Sequence, residues 1–163
     1  MPRISTFAQR RLPQLRRRSQ TERHSPQHSR STYPFRYDAS IRITGAGHEH
    51  AKITRVSGLV PTHSHLKGEV RSRLNQRRYP DDLWMLSSPL GETATIGQHC
   101  GWLWDAIGPN REYFETVIAE ASSADICLGC LSESIYPFLE VDASSLTILR
   151  ELKLGLTFNF TCV

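Results

Sequence analysis

The sequence predicts an α+β domain: a mixed, mostly antiparallel sheet with helices packed on one face, preceded by a disordered basic tail. Three observations carry this. Two segments, residues 35–43 and 156–162, alternate apolar and polar side chains with the period of a half-buried strand. Two others, residues 95–107 and 110–121, repeat apolar residues at helical spacing. Few of the strands follow one another directly, so helices must lie between them and pack together on the sheet.

The tail comes first. Residues 1 to 32 carry eight arginines against Glu22, a balance of +7; the whole chain is +4, so residues 33 to 163 carry −3. The tail is rich in Arg, Ser and Gln and poor in side chains that pack, so it cannot offset its ordering entropy and reads as disordered. Ile4, Phe7, Leu12 and Leu15 fall roughly on one helical face among the arginines, as in a transit or membrane-surface helix, and Pro13 interrupts that face. The pI of about 9.1 thus belongs to the tail and does not indicate a basic nucleic-acid-binding fold. Residues 33–163 form one domain.

In residues 35–43, Phe35, Tyr37, Ala39, Ile41 and Ile43 alternate with Arg36, Asp38, Ser40 and Arg42, which predicts the first strand. Gly45 and Gly47 break it. A helix follows over residues 48–57, and Gly58 supplies a left-handed cap. Pro61 prevents the helix from resuming, and Leu59 and Val60 are expected to pin the turn to the core. Residues 63–82 then form a long exposed loop with Lys67, Arg71, Arg73, Arg77 and Arg78, opposed by Glu69, Asp81 and Asp82. Long loops on rigid frames often carry function, so these five cations are the candidate binding surface.

Leu83-Trp84-Met85-Leu86 is a short apolar strand, ended by Ser87-Ser88-Pro89. The helix over residues 95–107 places Ile96, Cys100, Leu103 and Ile107 on one face and stops at Gly108-Pro109. The next buries Phe114, Val117, Ile118 and Ala121. Residues 125–131 are apolar at nearly every position, as in a central strand covered on both faces. Residues 136–141 read as an edge strand with Pro137 near its start. Asp142 is a helix N-cap before Leu146, Leu149 and Leu152, with Gly155 just past the end. The last strand gives Leu156, Phe158, Phe160 and Cys162 one dry face.

Ile43-Thr44-Gly45, Gly58-Leu59-Val60-Pro61-Thr62, Lys67-Gly68, Trp84-Met85-Leu86-Ser87-Ser88-Pro89-Leu90, the leucine-rich helix and Gly155-Leu156 occur in this order. The combination resembles the domain of unknown function 4279 family, small bacterial proteins, over residues 35 to 163. Gly58, Leu59, Pro61, Thr62, Gly68 and Trp84 are its structural motif here. The resemblance implies an α+β fold and no assigned activity. The basic tail and the ending Thr161-Cys162-Val163 depart from the family's usual pattern.

No residue set forms a catalytic constellation. Serines and histidines are present, but there is no glycine elbow, and no phosphate-cradling loop. Cys127 and Cys130 have the spacing of half a zinc knuckle. In a buried strand they point opposite ways, and Cys100 and Cys162 form no second close pair, so structural thiols are expected. His48-x-His50 and His63-x-His65 could join around a metal only if their segments converge. The expectation is a non-catalytic protein-interaction module without metal or cofactor, immunity- or antitoxin-like, with an unidentified protein partner. The alternative is nucleic-acid association through the tail and the basic loop. Scattered cysteines and the lack of an apolar run of about 20 residues lead to a cytoplasmic protein with no membrane span.

Overall fold

A computed structural model describes residues 35–163 except 73 and 75, and except the side chain of His48. The expected tail, residues 1–32, lies outside the described residues. The strands are β1 (Phe35–Thr44), β2 (His63–His65), β3 (Leu83–Ser87), β4 (Ser123–Ser132) and β5 (Gly155–Cys162). The helices are α1 (His50–Ser57), α2 (Ile96–Ile107), α3 (Arg111–Glu120) and α4 (Thr147–Leu152).

The described strands form one mixed sheet in the order β2-β3-β1-β4-β5, with only β4 and β5 parallel. The alternation in β1 sets its two faces. Ala39, Ile41 and Ile43 point into a core shared with Trp84 and Leu86 of β3 and Ile126 and Leu128 of β4. The helices close that core with Ile53, Ile96, Leu103, Ile107, Phe114, Val117, Ile148 and Leu152. Trp84 is fully buried, its ring 5.9 Å from that of Phe114. The opposite face is polar, and Arg42 makes a two-pronged contact with Asp125 at 2.8 and 2.5 Å. Thr157 on β5 donates to the same carboxylate at 2.6 Å.

Gly58 closes α1 at φ 73°, its N–H donating to the carbonyl of Thr54 at 2.9 Å. Leu59 packs against the core, but Val60 is 72% exposed, so only one of the two apolar residues pins the turn. Thr62 explains its own presence: its N–H donates to the Met85 carbonyl at 2.8 Å, and its Oγ1 accepts from Ser87 N at 2.5 Å. That stitches the turn onto β3 and starts β2. Thr95 and Gln98 form a reciprocal cap on α2, satisfying two otherwise unpaired N–H groups.

Four sequence expectations are corrected. Residues 136–141 are not a strand: β5 runs parallel to β4, so the chain must leave the end of β4 and travel back off the sheet before β5 can begin, and this segment is part of that return. Together with α4 it forms the crossover that a parallel β4–β5 pair requires. The helix does not start at Asp142. Asp142 instead organises the preceding turn, accepting from Ser144 Oγ, Ser145 N and Ser145 Oγ at 2.7 to 2.8 Å, and α4 begins at Thr147. Nor does Gly155 cap it: Lys153 takes the left-handed position at φ 54°, while Gly155 opens β5. Finally, β5 has no dry face. Leu156, Phe158 and Phe160 stand on the helix side of the sheet but remain 38, 46 and 49% exposed.

The carboxylates make acid stability predictable. Hydrogen bonds from Ser144 and Ser145 hold Asp142 down at about 2. Arg150 and Arg111 lower Glu151, and at Asp125 the donors Arg42 and Thr157 outweigh burial, which acts in the opposite sense. Folded values below unfolded ones give stability that is complete above the unfolded pKa of about 4 and is lost as pH falls through the folded values. The urea midpoint should therefore hold at pH 5 and fall progressively between about pH 4 and 2. Asp142→Asn should flatten the lower end of that fall. A wild-type midpoint unchanged down to pH 2 would refute this.

Candidate functional site

The basic segment after β2 is not a loose loop. Gly68 N donates to Tyr79 O at 2.9 Å, Tyr79 N to Glu69 O at 2.9 Å and Arg71 N to Arg77 O at 3.0 Å, with Val70 and Arg78 bridged. The chain returns beside itself as a two-stranded ribbon. Gly68, at φ 81°, starts the outward arm in a conformation that favours glycine.

One end of the ribbon is tied down by Asp82. Its Oδ1 accepts from Gly45 N at 2.6 Å and its Oδ2 from Gly47 N at 2.9 Å, while His50 Nε2 lies 3.7 Å from Oδ1. A methyl group at Gly47 would sit 2.7 Å from Asp82 Oδ2, so the Gly45-x-Gly47 spacing lets the backbone close on this carboxylate. Gly45 has a second reason, since φ is +82° and a Cβ there would lie 2.7 Å from Ser122 N.

On the ribbon, Tyr79 meets two planar groups. The His65 ring stacks on it at 3.5 Å and 15°, and the Arg71 guanidinium lies 5.2 Å from its centroid. His63 Nε2 and His65 Nδ1 are 3.1 Å apart, which extends the row along β2. Burial, followed by the neighbouring His63, lowers the His65 pKa, so its ring is neutral near pH 7 and can share a hydrogen bond with His63.

The predicted site residues divide. Lys67, Arg71, Arg77 and Arg78 are exposed on this ribbon, and Arg78 also spans it, donating to Gly68 O at 2.6 Å. Arg73 lies outside the described residues. Leu74 near the ribbon tip is 100% exposed and Leu66 at its base 52%, so the surface mixes cations with large apolar groups. Sequence reasoning missed Tyr79 and His65 as the centre of this surface and treated Asp82 only as an opposing charge. A lone aromatic among arginines was the available signal for Tyr79.

The other constellations do not assemble. Among the described residues no group of three or more His, Cys, Asp or Glu side chains could hold a metal. His50 faces Asp82 rather than the β2 pair, and the His48 side chain lies outside the described residues. Cys127 and Cys130 lie on opposite faces of β4: Cys127 pairs with Ser40 on the polar side and Cys130 with Tyr37 on the helix side. Cys100 is buried in α2, which pushes its thiol up to about 11. An open cleft of about 320 Å³ lies between the start of α2 and the crossover, lined by Tyr37, Gly97, Phe138, Glu140 and Asp142. Its Tyr37 hydroxyl is committed to the Phe138 carbonyl at 3.0 Å.

Fold and surface define an open-faced α+β domain that carries an ordered basic ribbon beside its short edge strand. The chain belongs to the DUF4279 family, described as a domain of unknown function, whose model matches residues 34–162. Comparison with curated proteins and with solved structures finds no match. No described helix is long and apolar enough to cross a membrane.

Proposed function

We propose that this chain is a non-catalytic protein-interaction module, immunity- or antitoxin-like, that grips a protein partner through β2 and the basic ribbon. The observation that carries this reading is the His65–Tyr79–Arg71 stack on a hydrogen-bonded ribbon with Leu66 and Leu74 exposed around it. Tyr and Arg lead the residues that dominate binding energy at protein interfaces, and a preformed ribbon loses little entropy on docking. Exposed leucines favour a protein partner over nucleic acid, whose phosphates are met by cations and hydrogen-bond donors rather than by large aliphatic side chains.

The test is affinity capture of the C-terminally tagged full chain from its native lysate, with and without nuclease. One stoichiometric protein that survives nuclease is expected. Replacing Arg71, Tyr79, Arg77 and Arg78 with Ala should weaken capture by about 100-fold, as expected for loss of a central anchor and its cations. The melting temperature should change by only a few degrees, because these side chains stand outside the core. Nucleic acid that leaves with nuclease, and whose capture disappears when residues 1–32 are deleted, would replace this reading with the tail-mediated alternative. Full capture by the four-residue variant would remove the ribbon from the account.

A further inference from the structure

Strand β5 is an edge with none of the usual defences. Protein sheets blunt their edges with charges, proline, bulges or very short strands. The other edge of this sheet obeys that rule, since β2 has three residues and is flanked by the arginine ribbon. By contrast β5 runs eight residues without a charge or a proline, and its register with β4 is unbroken from Asp125↔Gly155 to Ser132↔Cys162. Among the described residues its outer side has no partner strand.

Its sequence is nearly palindromic. Outward from Asn159, Leu156-Thr157-Phe158-Asn159-Phe160-Thr161-Cys162 gives Phe, then Thr, then an apolar residue in both directions. A two-fold interface needs a surface complementary to itself, and an antiparallel pair centred on Asn159 supplies one. Phe158 then faces the partner's Phe160, and Thr157 faces the partner's Thr161. No like charges meet across the axis.

The geometry points to β5 as the seam of a homodimer, two copies pairing antiparallel about a two-fold axis at Asn159 to give one continuous ten-stranded sheet. Phe158 and Phe160 are stacked on their own strand at 6.2 Å and 10° and about half exposed, because the helical layer stops short of this edge. Pairing gathers four rings into a two-by-two patch on the helix side of the seam, two from each strand. A fully covered ring buries about 150–250 Å². The four half-exposed rings therefore withdraw on the order of 400 Å², about a third of the roughly 1,200 Å² at the low end of stable interfaces, with backbone pairing added. Such a seam dissociates on dilution.

Light scattering on the full chain, followed over roughly two decades of concentration, should approach twice the 18.5 kDa of one chain. Asn159→Lys sets two ammonium groups face to face on the axis and should give the single-chain mass throughout. In a Cys162→Ser background, Asn159→Cys should oxidise to a covalent dimer, since antiparallel partners lie about 4.5–5.5 Å apart at Cα, within disulfide reach. Thr161→Cys in the same background should not, because its counterpart across the axis is Thr157. A single-chain mass for the wild type at every concentration would overturn the proposal. So would a dimer that survives Asn159→Lys, or equal cross-linking at positions 159 and 161.

Discussion

Replacing Trp84 with Ala should lower stability by about 3–5 kcal/mol, the range for removing a large buried aromatic side chain. In a domain of this size that corresponds to a loss of roughly 10–20 °C in Tm. The side chain is fully buried in the middle of the sheet, where β3 passes between β1 and the edge strand, and its ring meets Phe114 of α3. Truncation opens a cavity at a point where sheet and helices meet, and neither layer can collapse into it without breaking its own ladder or turns. Trp84→Phe should cost much less. The indole N–H is buried and has no hydrogen-bond partner among the described residues, so Phe removes an unsatisfied donor while keeping most of the ring. Thermal melts of the wild type and both variants check this, and equal melting temperatures for Ala and Phe would contradict it.

The second large effect is expected at Asp82. Its carboxylate is 12% exposed and accepts from two backbone N–H groups, those of Gly45 and Gly47, with His50 close by. Hydrogen bonds to a charged group contribute about 1.5–3 kcal/mol each, and a buried donor left without its acceptor costs further. Gly45 is exposed and its N–H can turn to water, so Asp82→Ala should destabilise the domain by about 2–4 kcal/mol rather than by the full sum of both bonds. The same change frees one end of the ribbon, so amide exchange should accelerate at Gly45 and Gly47 and also at Gly68 and Tyr79, whose bonds close the ribbon. Asn at position 82 should fall between, because its amide offers one oxygen where two are used. Hydrogen exchange followed by mass spectrometry, beside a urea melt, reads both effects. Unchanged exchange at Gly68 and Tyr79 would show that Asp82 does not hold the ribbon, whatever its effect on stability.

Asp82 also shows why the candidate site was only partly legible. The cations at positions 67, 71, 77 and 78 could be named from the chain because charge is a local property. Their order could not, since it depends on Tyr79 meeting His65 and on Asp82 reaching back to the Gly45–Gly47 turn, contacts between residues far apart in sequence. A polar, turn-rich segment looks the same whether it closes into a ribbon or stays open.

Side-chain period and a few turn residues were enough to set the faces and ends of most elements. Alternation in β1 fixed which residues enter the core, helical spacing did so for α2 and α3, and Gly58 and Thr95 marked where helices stop and start. These are properties of side-chain period and of a few backbone angles, and they act within a turn or two of chain. Tertiary structure alone decided who pairs with whom. Phe158 and Phe160 alternate like core residues, yet β5 enters parallel to β4 at the rim, beyond the reach of the helices, and they stay half exposed. Tyr136 and Phe138 look like strand residues but lie in the crossover that brings β5 to that position. Side-chain pattern states that a face is apolar, while only the order of strands in the sheet states what is left to cover it.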